Sequence, residues 1–101
     1  MSNRKRLPQR RPSNNFDLRF WGQNWKVTIG YFPDGSPGEV FVSAAKVPGT
    51  DLDAMARDGA ILLSLCMQYG VPLDVLAGAL TRNIDGSPSA ITGAVVDRLK
   101  Q

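Results

Sequence analysis

Apolar residues alternate with polar ones through the first part of the chain and switch to helical spacing near residue 50. In Phe16-Asp17-Leu18-Arg19-Phe20-Trp21 the alternation places Phe16, Leu18 and Phe20 on one face of a strand. Gly22-Gln23-Asn24 reads as a tight turn, after which Trp25, Val27, Ile29 and Tyr31 alternate with Lys26, Thr28, Gly30 and Phe32. Pro33-Asp34-Gly35-Ser36 is a strong turn signal, because Pro presets φ and Gly supplies a positive φ. A third strand over residues 39–45 carries Val40, Val42 and Ala44 on one face. Together the three predict an antiparallel meander, which cannot hide its apolar face without helices laid on it.

Thr50 followed by Asp53 resembles a capping box with Asp in place of the usual Glu, and Asp51 also favours the positive end of a helix. From Leu52, the residues Met55, Ala56, Gly59, Leu62, Leu63, Cys66 and Met67 form one broad stripe, widened by Ile61, Leu65 and Tyr69. Only Asp53, Arg57, Ser64 and Gln68 mark a narrow polar strip. A helix apolar around most of its circumference is buried on more than one side. One small sheet and one further helix cannot cover it, so a homo-oligomer (dimer or higher) with this helix at the interface is expected. Gly70 is placed to end the helix in the left-handed conformation, and Pro72 opens a second helix, residues 73–80. A polar loop over 81–89 follows, with Ser87 or Ser89 expected to cap a last helix carrying Ile91, Val95, Val96 and Leu99. The fold class is α+β: a three-stranded antiparallel meander followed by two or three helices packed on it.

Composition changes this picture mainly at the N-terminus. Five of the twelve cations (Arg4, Lys5, Arg6, Arg10 and Arg11) precede Ser13, leaving seven against all nine acids. Residues 1–14 therefore read as a basic, extended, mobile arm, with Leu7 and Pro8 able to pin it, and residues 15–101 as a single domain. Such an arm attracts polyanions by counterion release, so nucleic acid is one candidate partner; plain solubilisation is the blander account. The 101 residues include no histidine and one cysteine, Cys66. That removes the commonest general base and the commonest metal ligand, along with any intrachain disulfide. No secretory signal or bilayer-length apolar run is present, which points to a cytoplasmic protein with no membrane partner. The sequence calls for no cofactor, metal or catalytic residue.

The residues with binding chemistry are few. Arg82, Asn83, Ser87 and Ser89 share the polar loop, where a guanidinium fork, hydroxyls and helix N–H groups suit a phosphate. The alternative is a surface loop with helix caps. Arg57 lies on the polar strip of the long helix, facing either a ligand or a structural ion-pair partner. Lys46 stands between the third strand and the long helix, a frequent anion position. Trp21, Phe32 and Phe41 should oppose the sheet face carrying Trp25, Val27 and Ile29, which would require the second face to be covered as well.

Several segments resemble the TSCPD-type domain. They are Arg6-Leu7-Pro8-x-Arg10-Arg11, Gly38-Glu39-Val40-Phe41-Val42, Lys46, the helix start ending Ala56-Arg57-Asp58, Gln68-Tyr69-Gly70-Val71-Pro72-Leu73 and Ala79-Leu80-x-Arg82. That domain is the C-terminal appendage of adenosylcobalamin-dependent ribonucleotide reductases and also occurs as small stand-alone proteins. Where the family carries Thr-Ser-Cys-Pro-Asp, this chain reads Asp85-Gly86-Ser87-Pro88-Ser89, without a cysteine. In length and helix-plus-sheet build the chain is also similar to small phage anti-defence proteins that sequester cyclic or ADP-ribose-derived signalling nucleotides. The leading expectation is a non-enzymatic, oligomeric protein holding a phosphorylated nucleotide-type ligand through Arg82, Asn83, Arg57, Lys46, Ser87 and Ser89. The alternative is an accessory or regulatory domain related to ribonucleotide reductase, or a nucleic-acid binder using the arm.

Overall fold

The computed structural model describes residues 3–46 and 49–101. Three strands, β1 (Ser13–Phe20), β2 (Gln23–Tyr31) and β3 (Pro37–Ala44), form an antiparallel sheet in the order β1-β2-β3. Three helices follow: α1 (Asp51–Gln68), α2 (Leu73–Ala79) and α3 (Ile91–Leu99). The expected α+β meander with helices on it is therefore the architecture of the chain.

Two boundaries shift for physical reasons. β1 begins at Ser13, three residues before the expected start, because the polar Ser13-Asn14-Asn15 still pair with Gly30, Ile29 and Thr28. The first turn is Trp21-Gly22, one residue earlier than expected, with both residues at positive φ (52° and 70°). Two positive φ values give the hairpin turn whose twist matches its strands, and Phe20 is left directly opposite Gln23.

The covered face of the sheet carries Trp25, Val27 and Ile29 from β2 and Val40, Val42 and Ala44 from β3, all buried. Phe16, Leu18 and Phe20 of β1 pack against the same cluster. Over it lie Ala56, Ala60, Leu63 and Met67 of α1, Ala77 of α2, and Ile91, Val95 and Val96 of α3. Each fully buried large side chain here, Trp25 and Ile29 included, contributes roughly 1.5–3 kcal/mol relative to exposure. The indole N–H of Trp25 donates to the Phe20 carbonyl at 3.0 Å, so its one polar atom is satisfied in the core.

Among the described residues, the second sheet face is left open around Phe41, while Arg11 pairs with Glu39 at its other end. Phe41 is 58% exposed there, and its cross-strand partner is Thr28, with Lys26 opposite Ser43. Phe32 departs from the expected alternation. It lies just past the end of β2 and is buried against Gly38 and Leu7, where a Cβ on Gly38 would come within 2.6 Å of the Phe32 ring. Close approach of that ring to the backbone is what requires glycine at 38.

Helix α1 begins as expected, the Asp53 N–H donating to the Thr50 hydroxyl at 3.1 Å, and stops at Gly70 with φ 85°. The cap of α3 differs from the expectation. Ala90, not Ser87 or Ser89, is its N-cap, and no side chain bonds there.

Candidate functional site

The polar strip of α1 runs along the outer edge of β3. An edge strand presents unpaired N–H and C=O groups, and three α1 side chains bond to them. The Asp53 carboxylate accepts from the Ala44 N–H at 2.8 Å and from the Gly49 N–H at 3.0 Å. The Ser64 hydroxyl accepts from the Val40 N–H at 2.8 Å and lies 3.2 Å from the Val40 carbonyl. The Gln68 amide donates to the Gly38 carbonyl at 2.9 Å. Asp53 is 1% exposed, and its pKa is held at about 2, chiefly by the Ala44 and Gly49 N–H groups and then by Arg57. The Arg57 Nε donates to Asp53 at 2.8 Å across one helical turn.

The N-terminal segment lies along the same seam. The Lys5 N–H donates to the Gln68 carbonyl at 2.7 Å and the Arg4 Nε to the Gln68 side-chain carbonyl at 2.6 Å. Arg11 forms a two-point ion pair with Glu39, which raises the Arg11 pKa. The Lys5 ammonium sits 4.3 Å over the Phe32 ring and 3.7 Å from Asp34. In the segment expected to be an extended arm that Leu7 and Pro8 could pin, Arg4, Lys5, Leu7, Arg11 and Pro12 contact the domain, the Pro12 carbonyl accepting from the Tyr31 N–H at 3.0 Å. Leu7 is the apolar pin of this segment. Met1 and Ser2 lie outside the described residues.

A groove of about 390 Å³ opens between β3 and α1, with Arg4 and Arg57 among its walls, beside Phe41, Ile61, Leu65 and Gln68. Of the six residues expected to bind a ligand, Arg57 alone faces this groove. Lys46 is exposed just after β3, and the neighbouring Val47-Pro48 lie outside the described residues.

The other four share the 82–89 loop, where Asn83, Ser87 and Ser89 bond to one another and Arg82 bonds elsewhere. Arg82 directs all its donors inward: both terminal nitrogens reach Asp97, at 2.9 and 2.6 Å, while the Ala77 and Gly86 carbonyls accept the rest. The pair raises the Arg82 pKa and lowers that of Asp97. Asn83 donates to the Ser87 hydroxyl at 3.0 Å and accepts from the Ser89 hydroxyl at 2.9 Å. Ser87 in turn bonds Asp85 through both its N–H and its hydroxyl, lowering the Asp85 pKa. A guanidinium with every N–H engaged has no fork left for a phosphate unless Asp97 is displaced.

Sequence reasoning found the polar strip but not what it faces, and it missed Asp97, Glu39 and Gln68 as partners. Strand edges are backbone and leave no residue signature. The Arg82–Asp97 pair spans 15 residues, with nothing local to join them. Among the described residues no group of three or more His, Cys, Asp or Glu is placed to hold a metal ion. No helix among them is long and apolar enough to cross a membrane.

Comparison with known proteins decides the family. The TSCPD domain profile matches residues 2–101. The chain belongs to the TSCPD domain family. This TSCPD domain is also similar to part of several proteins named vitamin B12-dependent ribonucleotide reductase. It is 38% identical over 73 residues to the one from Rhodopirellula baltica (strain DSM 10527 / NCIMB 13988 / SH1), which covers 72% of the chain and 7% of that protein. Identity is 35% over 89 residues with those of Streptantibioticus cattleyicolor and Streptomyces clavuligerus, covering 88% of the chain and 14% and 9% of those proteins. The TSCPD domain thus spans a small fraction of the length of the curated relatives it matches. No solved structure matches it.

Proposed function

We propose that this TSCPD domain is a non-catalytic accessory domain of the cytoplasm, serving a vitamin B12-dependent ribonucleotide reductase by docking on its catalytic polypeptide. One observation carries the reading: most of the chain, 72–88% in these alignments, is similar to a small portion of such reductases. The roles of its polar residues agree with it. Asp53, Ser64, Gln68, Arg82 and Asp97 hold the fold together, and a domain built this way offers surfaces to a partner. The uncovered sheet face, with Phe41 exposed beside Thr28, is the docking surface we favour. The test is calorimetric titration of the chain into a B12-dependent reductase polypeptide lacking its own TSCPD region. Binding tighter than about 100 μM, lost in Phe41→Asp, is expected; absence of binding at that concentration overturns the reading.

A second reading rests on the groove between β3 and α1. Arg4 and Arg57 line it together with the exposed Phe41, a combination suited to a nucleotide-type ligand with two cations for phosphate and a ring for the base. Thermal-shift titration with cyclic dinucleotides, cyclic ADP-ribose isomers, NAD and dNTPs tests it. A shift abolished by Arg57→Ala supports the groove, and silence across the panel removes it.

A further inference from the structure

The outward side of α1 is apolar and bare. Met55 is 65% exposed, Ile61 57%, Leu62 63% and Tyr69 44%. Met55, Asp58, Leu62, Leu65 and Tyr69 recur at alternating steps of three and four residues, the spacing of a helix-packing seam. The seam runs from Met55 to Tyr69 along the 18-residue α1, about 21 Å at the rise of an α-helix. Its charges are distributed unequally. Asp51 and Asp58 are exposed in the N-terminal half, where Asp53 and Arg57 neutralise each other. Residues 59–69 carry no charge, and Arg4 is held at that end by its bond to Gln68, while the neighbouring Lys5 is paired with Asp34. Arg4 lines the same groove as Ile61 and Leu65, beside the seam.

We propose that a second copy of this chain covers the seam, with the two α1 helices antiparallel and a two-fold axis near Leu62. Antiparallel pairing about that point sets Met55 of one copy near Tyr69 of the other, and Asp58 near Leu65. It thereby brings Asp58 beside Arg4 of the other copy. Asp58 has no ion-pair partner within its own chain among the described residues, and the terminal guanidinium nitrogens of Arg4 make no hydrogen bond there. Parallel pairing would set Asp51 and Asp58 against themselves and Arg4 against its own copy, which like-charge repulsion disfavours. The complementarity therefore selects both the occupant and its direction. An isologous two-fold contact of this kind closes on itself and stops at the dimer.

Sedimentation velocity on the chain alone is the test, so its outcome is separate from docking to a reductase. A dimer is expected at about 100 μM, and Leu62→Arg should give a monomer with unchanged far-ultraviolet circular dichroism. Asp58→Arg should weaken the dimer by about tenfold or more, and adding Arg4→Asp should restore it. Direction is read by oxidative crosslinking in a Cys66→Ser background. Leu62→Cys should link to itself, whereas Met55→Cys should link to Tyr69→Cys in a mixture and not to itself. A wild-type monomer at that concentration, a dimer that persists in Leu62→Arg, or self-crosslinking of Met55→Cys would each overturn the proposal.

Discussion

The chain contains the tripeptide Asp-Gly-Ser twice, at 34–36 and at 85–87, and folds it the same way each time. In the first turn the Gly35 N–H donates to the Phe32 carbonyl at 2.9 Å and the Phe32 N–H to the Ser36 carbonyl at 2.8 Å. In the second, Gly86 donates to Asn83 at 2.9 Å and Asn83 to Ser87 at 2.8 Å. Gly35 and Gly86 have φ of 89° and 88°. Both aspartates accept from the serine N–H at 2.9 Å and from the same serine hydroxyl. From sequence, the first reads as a turn between strands and the second as either a phosphate cradle or a surface loop with helix caps. The turns themselves are alike; their anchors differ. The first is tethered by Lys5, in an exposed ion pair with Asp34. The second is gripped by the half-buried Arg82, which bonds the Gly86 carbonyl as well as Asp97 on α3. Local chemistry built both turns, and distant chemistry gave them different anchors.

Breaking the anchors should expose that difference most strongly. Arg82→Gln leaves Asp97 and the Ala77 and Gly86 carbonyls without their donor, and should lower Tm by on the order of 5–10 °C in calorimetry. Lys5→Gln, the matching change at the first turn, should shift Tm by less than about 2 °C, since exposed ion pairs contribute little. Equal shifts would show that the anchors do not differ.

The turns themselves should respond equally. A Cβ at Gly35 or at Gly86 meets nothing within 4 Å, so Gly→Ala at either site is penalised only by the positive φ. Each should destabilise the protein by about 1 kcal/mol in urea titration, matching within a few tenths. A much smaller loss at Gly86 would mean that its turn contributes little to the folded state.

The smallest effect is on acid stability. In both turns the serine hydroxyl is the first cause of a lowered aspartate pKa, followed by the serine N–H. Because the folded values lie below the unfolded value of about 3.9, the stabilisation is present above roughly pH 4. It is lost as pH falls through the lowered folded values. Asp34→Asn and Asp85→Asn should each flatten the fall of Tm below pH 4. An unchanged acid limb in both variants contradicts the assignment.

The order of elements was legible because period-two alternation over β2 and β3 and the broad stripe of α1 are strong, local signals. Thr50, Gly70 and Pro72 marked helix ends for reasons that also hold within the next few residues. What escaped was long-range. Asp53, Ser64 and Gln68 stood out as a polar strip, yet the groups they bond are main-chain atoms of β3, which no side chain advertises. Arg82 looked like a binding residue because its partner, Asp97, lies 15 residues later, on α3. Gln68 and Arg82 are also among the residues carrying the family resemblance, and here both hold the fold together. Ser13 and Asn14 read as part of the arm, and Asn15 falls outside the expected strand, because nothing in a polar triplet announces a strand. Pairing with β2 decides that.

The seam between α1 and β3 has one more result, for growth of the sheet. With Asp53, Ser64 and Gln68 seated on one rim, an incoming ribbon from any other molecule finds that side blocked by a helix. Accretion can proceed only from the opposite rim, along β1, whose Asn14, Asp17 and Arg19 make it a poor template for uncontrolled stacking.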